Sequence, residues 1–128
     1  MVLDTSALVS IQLEEPGFRE LFRKIDGAPT VVIGAPVLFE TATVLSARFK
    51  ADARLSLGIG LRRLRVEIVP FTEEHYEAAV SAFLRYGKGR HPAALNFGDC
   101  MSYAFARVSG LPLLYTGDDF SKTDIQAA

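Results

Sequence analysis

Four short apolar segments, separated by helix-forming sequence, constrain the fold of this chain more than any other feature. They are residues 2–3, 30–33, 66–69 and 113–115, and a fifth such segment would begin at Asp124. Between them, large apolar residues recur every three or four positions, as they do along one face of an amphipathic helix. Strands that alternate with helices form a parallel sheet that helices cover on both faces. The sequence therefore predicts an α/β fold with a central parallel sheet of four or five strands.

The length and composition favour one domain over residues 1–128. Hydrophobic residues make up 49% of the chain and charged residues 23%, as in ordinary globular domains, which excludes a disordered chain. No apolar run approaches the roughly 20 residues of a transmembrane helix, and Asp4 interrupts the apolar start that a signal peptide needs. Cys100 is the only cysteine, which excludes an internal disulfide and a multi-cysteine zinc site. We therefore expect a cytoplasmic protein without membrane contact.

Basic residues are concentrated in one part of the sequence. The chain has 14 basic and 15 acidic residues and a net charge of −1, so bulk charge alone does not hold it on a nucleic acid. From Arg48 to Arg65, however, six basic residues accompany one acidic residue. This basic cluster is either a solvated face of two helices or a surface that contacts a polyanion. A basic loop over residues 87–92 is a second candidate surface.

Two aspartates follow predicted strands at the points where those strands end. Asp4 ends the first strand, and Asp118 follows the fourth strand after Thr116 and Gly117. In open α/β sheets, ligands bind outside the carboxyl ends of the strands, so both carboxylates lie where a site is expected. Taken singly, each aspartate is also explained as a turn residue or a helix cap.

Two further acids occupy unusual positions on predicted helices. Glu40 lies three residues after Val37 and four before Val44, on an apolar stripe, and no Lys or Arg lies one turn away. A charge on a buried stripe costs several kcal/mol unless a partner compensates it. Asp99 stands near the start of the helix predicted over residues 97–108, where a favourable interaction with the helix N-terminus is the alternative explanation. The four acids together indicate a carboxylate site.

A cluster of carboxylates predicts a bound cation. Neighbouring carboxylates repel each other unless one takes up a proton or a cation lies between them. Oxygen ligands, without a thiolate or a pair of histidines at ligand spacing, favour Mg²⁺ or Mn²⁺ over zinc. Such an ion makes water more acidic and stabilises charge on phosphorus oxygens. The sequence thus indicates metal-assisted hydrolysis of a phosphodiester.

Four segments carry these acids in a recognisable order. They are Leu-Asp-Thr-Ser-Ala at residues 3–7, the Glu40 helix that begins near Pro36, Asn-Phe-Gly-Asp-Cys at residues 96–100, and Leu-Leu-Tyr-Thr-Gly-Asp-Asp-Phe at residues 113–120. Their order and spacing resemble those of a PIN domain, and more specifically of the VapC-type ribonuclease toxins of bacterial toxin–antitoxin pairs. The resemblance covers nearly the full chain. Within it, Ser6 and Thr116 match hydroxyl residues that support the family's site.

The resemblance implies a three-layer α/β/α sandwich and an Mg²⁺-dependent endoribonuclease, with Mn²⁺ as the alternative ion. Its catalytic residues would be Asp4, Glu40, Asp99 and Asp118. Asp4 and Asp99 would hold the metal directly, while Glu40 and Asp118 would orient or deprotonate the attacking water. The fourth acid is ambiguous, because this segment is one residue shorter than the common Thr-x-Asp-x-x-Phe pattern and Asp119 is the alternative.

The resemblance also implies partners: an RNA substrate, a cognate VapB-like antitoxin protein, and a second copy of the chain in a homodimer or in a toxin–antitoxin hetero-oligomer. Large apolar residues on the helices after Pro16 and Pro36 predict a groove for an antitoxin helix. They are Phe18, Phe22, Leu38 and Phe39. We thus predict a ribonuclease toxin. Two alternatives stay open, namely a PIN nuclease that processes RNA without an antitoxin and a non-catalytic domain of the same fold that binds a protein.

Overall fold

The computed structural model describes all residues of the chain, from 1 to 128. Its strands are β1 (Val2–Leu3), β2 (Val32–Gly34), β3 (Glu67–Val69) and β4 (Leu113–Leu114). Its helices are α1 (Thr5–Gln12), α2 (Phe18–Asp26), α3 (Ala35–Phe49), α4 (Arg54–Arg63), α5 (Glu73–Tyr86) and α6 (Phe97–Ser109), followed by a 3₁₀ helix over Asp119–Lys122. All paired strands are parallel, in the order β3-β2-β1-β4. The predicted α/β fold with a central parallel sheet is confirmed. None of the helices combines the length and the hydropathy needed to cross a lipid bilayer.

The middle of the sheet is covered on both faces. Successive side chains of a strand point to opposite faces, and both residues of β1 and both residues of β4 are buried. All three residues of β2 are buried as well. Only β3, at one edge, leaves Glu67 and Ile68 exposed. Helices on both faces of a buried parallel sheet make the three-layer sandwich that the sequence predicted.

The other edge of the sheet is closed by the C-terminal residues. Leu113 of β4 forms an isolated parallel bridge to Ala127, and Nζ of Lys24 donates a 2.6 Å hydrogen bond to the carbonyl oxygen of Ala128. The fifth strand predicted from Asp124 is reduced to this single bridge. The Asp124 carboxylate accepts a 2.7 Å hydrogen bond from the Tyr103 hydroxyl of α6, and pairing with β4 begins only after it, at residues 126–128.

A close approach at the end of β2 positions α6. Gly34 links β2 to α3, and a Cβ atom there would collide with the ring of Phe105 on α6. Phe105 is fully buried, and its ring centre lies 4.2 Å from that of His75 on α5. Because Gly34 has no side chain, α6 packs directly over the ends of the central strands. This packing brings Asp99, in the first turn of α6, to the carboxyl edge of the sheet.

Candidate functional site

Asp4 is a buried carboxylate at the carboxyl end of β1. The residue is 5% exposed, and it caps the N-terminus of α1. Asp4 Oδ2 accepts hydrogen bonds from the Ser6 backbone N–H at 2.9 Å and from the Ser6 hydroxyl at 2.5 Å. Asp4 Oδ1 accepts from the Ser102 hydroxyl of α6 at 2.5 Å. These three donors compensate for the removal of the charge from water.

Ser6 also connects Asp4 to the end of β4. While its hydroxyl donates to Asp4, the same oxygen accepts a 3.0 Å hydrogen bond from the backbone N–H of Thr116. Ser6 therefore supports Asp4 directly, whereas Thr116 contributes its backbone rather than its hydroxyl. The ends of the neighbouring strands β1 and β4 are thereby joined through one side chain.

Glu40 reaches the same edge of the sheet from α3. Its Oε2 accepts a 2.6 Å hydrogen bond from the Thr5 hydroxyl, and no protein group donates to its Oε1. The carboxylate lies against the backbone of α6 at Gly98, where any Cβ atom would collide with both carboxylate oxygens. Glu40 is half-buried, at the border of the apolar stripe on which the sequence placed it. Glycine at residue 98 is what lets it lie beside Asp99.

Asp99 begins α6 and also faces the other acids. Its Oδ2 accepts a 2.8 Å hydrogen bond from the Asn96 N–H, and Asn96 Oδ1 accepts one of 2.9 Å from the Asp99 N–H, so the two form a capping box. The pKa of Asp99 is raised to about 6, chiefly by burial, and the hydrogen bond from Asn96 opposes this rise. The charges of Asp4, Asp119 and Glu40 raise the pKa further. Asp99 is therefore a helix cap and a member of an acidic cluster at once.

The fourth carboxylate comes from the turn after β4. Both Asp118 and Asp119 are exposed. The charge of Asp119 acts on Asp99, whereas Asp118 is not among the charges that raise the pKa of Asp99. Which of the two residues supplies the fourth carboxylate stays a prediction. Gly117, just before them, has a φ of 86°, the left-handed conformation that glycine adopts without strain.

The side chains at this edge offer oxygen donors. No three His, Cys, Asp or Glu side chains are arranged so that they would hold one metal ion together. His75 caps α5 and His91 packs on an aromatic ring, so neither joins the acids. Cys100 is buried, and burial raises the pKa of its thiol to about 11, so it is not a thiolate donor. The remaining donors, carboxylate and hydroxyl oxygens, are those that Mg²⁺ and Mn²⁺ prefer.

Three residues of the site were not singled out by the sequence. They are Thr5, Gly98 and Ser102. A signal existed for Ser102, because it lies three residues after Asp99 and therefore on the same helix face. Thr5 adjoins Asp4, but its orientation toward α3 depends on how α1 and α3 pack. Gly98 carries no local signal, since the approach of Glu40 that requires it is a tertiary contact.

The apolar groove around α2 is built differently from its prediction. Phe18 and Phe22 line a groove of about 610 Å³, whose other walls are α1 and Leu64 at the end of α4. Neither Leu38 nor Phe39 of α3 lines it. The prediction of a groove between the helices after Pro16 and Pro36 was therefore wrong in its second wall, because α2 packs on α1 and faces α4.

Arg63, a member of the basic cluster, lies at the opposite end of α1 from the carboxylates. Asp4 caps the first turn of α1, whereas Gln12, its last residue, lines the groove together with Arg63. The guanidinium carbon of Arg63 lies 5.8 Å from the centre of the Phe22 ring. The part of the basic cluster around Arg63 thus faces the apolar groove rather than the acidic site.

We predict that Asp99→Asn stabilises the metal-free chain above about pH 6. The pKa of Asp99 rises from 3.8 to about 6 on folding, so the wild-type chain loses stability as the pH increases through this range. Asparagine does not ionise, so the variant does not lose stability in this way. In urea unfolding with EDTA, we expect equal stabilities near about pH 4 and a gain of roughly 1 kcal/mol at about pH 8, reduced because the carboxylate is partly exposed. Glu77→Gln, on the exposed face of α5, is the control. A gain that does not vary with pH would contradict the argument.

Sequence comparison places the whole chain in one family. The model of the PIN domain matches residues 1–126. A protein named ribonuclease VapC from Mycolicibacterium smegmatis is 43% identical over 127 residues, which are 99% of this chain and 98% of that protein. Ribonuclease VapC30 from Mycobacterium tuberculosis is 41% identical over 125 residues, covering 98% of this chain and 95% of that protein.

Solved structures share the fold at lower sequence identity. Mycobacterium tuberculosis VapC20, described as a sarcin–ricin loop cleaving toxin, superimposes with a TM-score of 0.77 at 22% identity, covering 99% of this chain and 97% of that one. A toxin–antitoxin complex from Klebsiella pneumoniae has a TM-score of 0.69 at 18% identity, with 96% and 92% covered. These structures share the fold, while the domain model over residues 1–126 and the relatives of 41–43% identity show that the chain belongs to the PIN-domain family.

Proposed function

We propose that this chain is an Mg²⁺-dependent endoribonuclease, with Mn²⁺ as the alternative ion, and that it acts as the toxin of a toxin–antitoxin pair. The proposal is based on one observation: α1, α3 and α6 bring the carboxylates of Asp4, Glu40 and Asp99 to one edge of the sheet. The full-length relatives named ribonuclease VapC support the reaction class.

Asp4 and Asp99 are the proposed ligands of the ion. Ser6 donates twice to Asp4 Oδ2 and Ser102 donates once to Oδ1, so Oδ1 keeps a second lone pair for a metal ion. Asp99 Oδ1 accepts no hydrogen bond from the protein. Mg²⁺ commonly uses one or two carboxylates and keeps several waters, so the absence of a three-residue cage fits it. When bound, the divalent ion stabilises charge on the phosphate oxygens and makes water more acidic.

Glu40 is the proposed acceptor of the proton that the attacking water gives up. The Thr5 hydroxyl fixes its Oε2, which leaves Oε1 free to accept a hydrogen bond from water. Contact with the α6 backbone at Gly98 keeps this carboxylate beside Asp99. Asp119 supplies the fourth carboxylate in the proposal and helps to orient the same water.

The metal dependence is tested by cleavage of total RNA and by thermal unfolding. We expect Mg²⁺ or Mn²⁺ to raise the Tm by several degrees, because a ligand that binds only the folded state stabilises it. Asp99→Asn should abolish this rise and the cleavage, while Glu77→Gln retains both. EDTA should stop cleavage and added Mg²⁺ should restore it. Undiminished RNA cleavage in the presence of EDTA would contradict the proposed metal dependence.

The fourth carboxylate is tested by comparing two neighbouring variants. We expect Asp119→Asn to lower the turnover of RNA cleavage at least about tenfold, as befits a group that positions water. Asp118→Asn should retain most of the activity. Both residues are exposed, so the Tm should change little in either variant. The reverse ranking would return the fourth position to Asp118, the residue that the sequence spacing favoured.

The groove around α2 is the proposed binding site of the antitoxin. It has an apolar floor that includes Phe18 and Phe22, and Arg19, Arg23 and Arg63 line it against the single acid Glu14. An amphipathic helix with acidic residues beside its apolar face matches this surface in both respects. The Klebsiella pneumoniae complex of similar fold supports a protein partner. The homodimer implied by the resemblance stays a prediction.

A charge in the groove should separate antitoxin binding from catalysis. We expect Phe22→Glu to weaken binding of the cognate antitoxin at least about tenfold, since it removes an apolar anchor and repels an acidic partner. RNA cleavage should persist, because the groove lies at the other end of α1 from Asp4. Phe49→Glu, at the exposed end of α3, is the matched control. Wild-type affinity in Phe22→Glu, measured by calorimetry, would contradict this location.

A further inference from the structure

The two most exposed aromatic side chains of the molecule border the carboxylate site. Phe97 is 79% exposed and Phe39 is 72% exposed. Phe39 immediately precedes Glu40 on α3, and Phe97 lies two residues before Asp99 on α6. Burial of large apolar side chains stabilises a folded chain, so rings of this size are normally removed from water. Two such rings on either side of a polar site are therefore candidates for contact with a ligand.

Both rings line one cleft in which Glu40 also takes part. The cleft has a volume of about 220 Å³, and Gly98 and Met101 of α6 contribute to its wall. Neither phenyl ring packs on another aromatic ring or beneath a cation, so the ring faces are free. The cleft thus combines a flat apolar surface with Glu40, the proposed acceptor of the proton from the attacking water.

We propose that Phe39 and Phe97 form a stacking site for an unpaired base of the RNA substrate, next to the phosphate that is cut. Base and phosphate belong to the same nucleotide, so a phosphate at the carboxylates brings a base within reach of the cleft. Aromatic side chains that stack on unpaired bases are the usual means of binding single-stranded RNA. Bases inside a duplex cannot leave their stack to bind in this way without cost. This inference rests on the proposed function and adds to it the two side chains that hold a base beside the phosphate that is cut.

A second apolar surface sharpens the test. Phe97, but not Phe39, also lines a larger groove of about 770 Å³ between α5 and α6, together with Tyr76 and Phe83. A protein bound in that groove would contact Phe97, whereas Phe39 is not part of the groove wall. Stacking of a base in the cleft requires both rings, so the Phe39 variant distinguishes the two roles.

The test measures RNA binding without cleavage, in chains that also carry Asp99→Asn. Short single-stranded RNAs with one 2-aminopurine at successive positions report affinity by anisotropy and stacking by fluorescence quenching. We expect Phe39→Ala and Phe97→Ala each to weaken binding about 5- to 100-fold and to remove the quenching at one position. Phe39→Trp should retain both signals, since it keeps an aromatic face. Phe49→Ala, on the same helix and away from the cleft, should bind as the parent chain does.

Three outcomes would overturn the stacking site. Unchanged affinity and quenching in both alanine variants, when the wild-type chain cleaves RNA, would remove it and leave the nuclease proposal intact. Altered molecular mass in the variants with unchanged RNA affinity would assign the rings to a second copy of the chain. Failure of the wild-type chain to cleave any RNA would remove the nuclease proposal and the stacking site with it.

Discussion

The buried carboxylate of Asp4 is the interaction on which the rest of the site depends. It accepts hydrogen bonds from Ser6 at the start of α1 and from Ser102 on α6, and so ties two helices to the end of β1. The same turn of α1 carries Thr5, which holds Glu40, and α6 carries Asp99 one turn before Ser102. Loss of either donor leaves a buried charge undercompensated, at a cost of about 1–3 kcal/mol or more.

The clustering of acids that forms the site also lowers the stability of the folded chain. Burial and the neighbouring acids raise the pKa of Asp99 to about 6, so the folded chain holds a charged Asp99 less readily than the unfolded chain does. Proteins tolerate such local conflict where a function uses it, and the remaining structure supplies the stability. Here the buried strands and the packing of Phe105 over Gly34 keep the acids together. A cation or a basic partner group would relieve the same repulsion.

The fold could be predicted from the sequence because its main signal is local, whereas parts of the site depend on tertiary contacts. Alternating apolar and amphipathic segments sufficed for the parallel sheet. Glu40 stood out because a charge on an apolar stripe conflicts with local rules, whereas Asp4 and Asp99 also act as helix caps and were identified by their positions in the motifs. The choice between Asp118 and Asp119 depends on the backbone conformation of Gly117. Sequence spacing carries no information on that angle. The second wall of the groove around α2 was missed for a similar reason, since the packing of α4 on α1 is not encoded locally.

In the proposed reaction, carboxylates at the edge of the sheet direct a water molecule at an RNA phosphate. The most direct test is cleavage of an RNA that carries a single 2′-deoxynucleotide on the 5′ side of the cut. Attack by water does not use the 2′-hydroxyl, so our account predicts that this RNA is cut at the same position and that unmodified RNA yields no cyclic phosphate. Loss of cleavage at the deoxynucleotide, with 2′,3′-cyclic phosphate ends on the unmodified products, would contradict it.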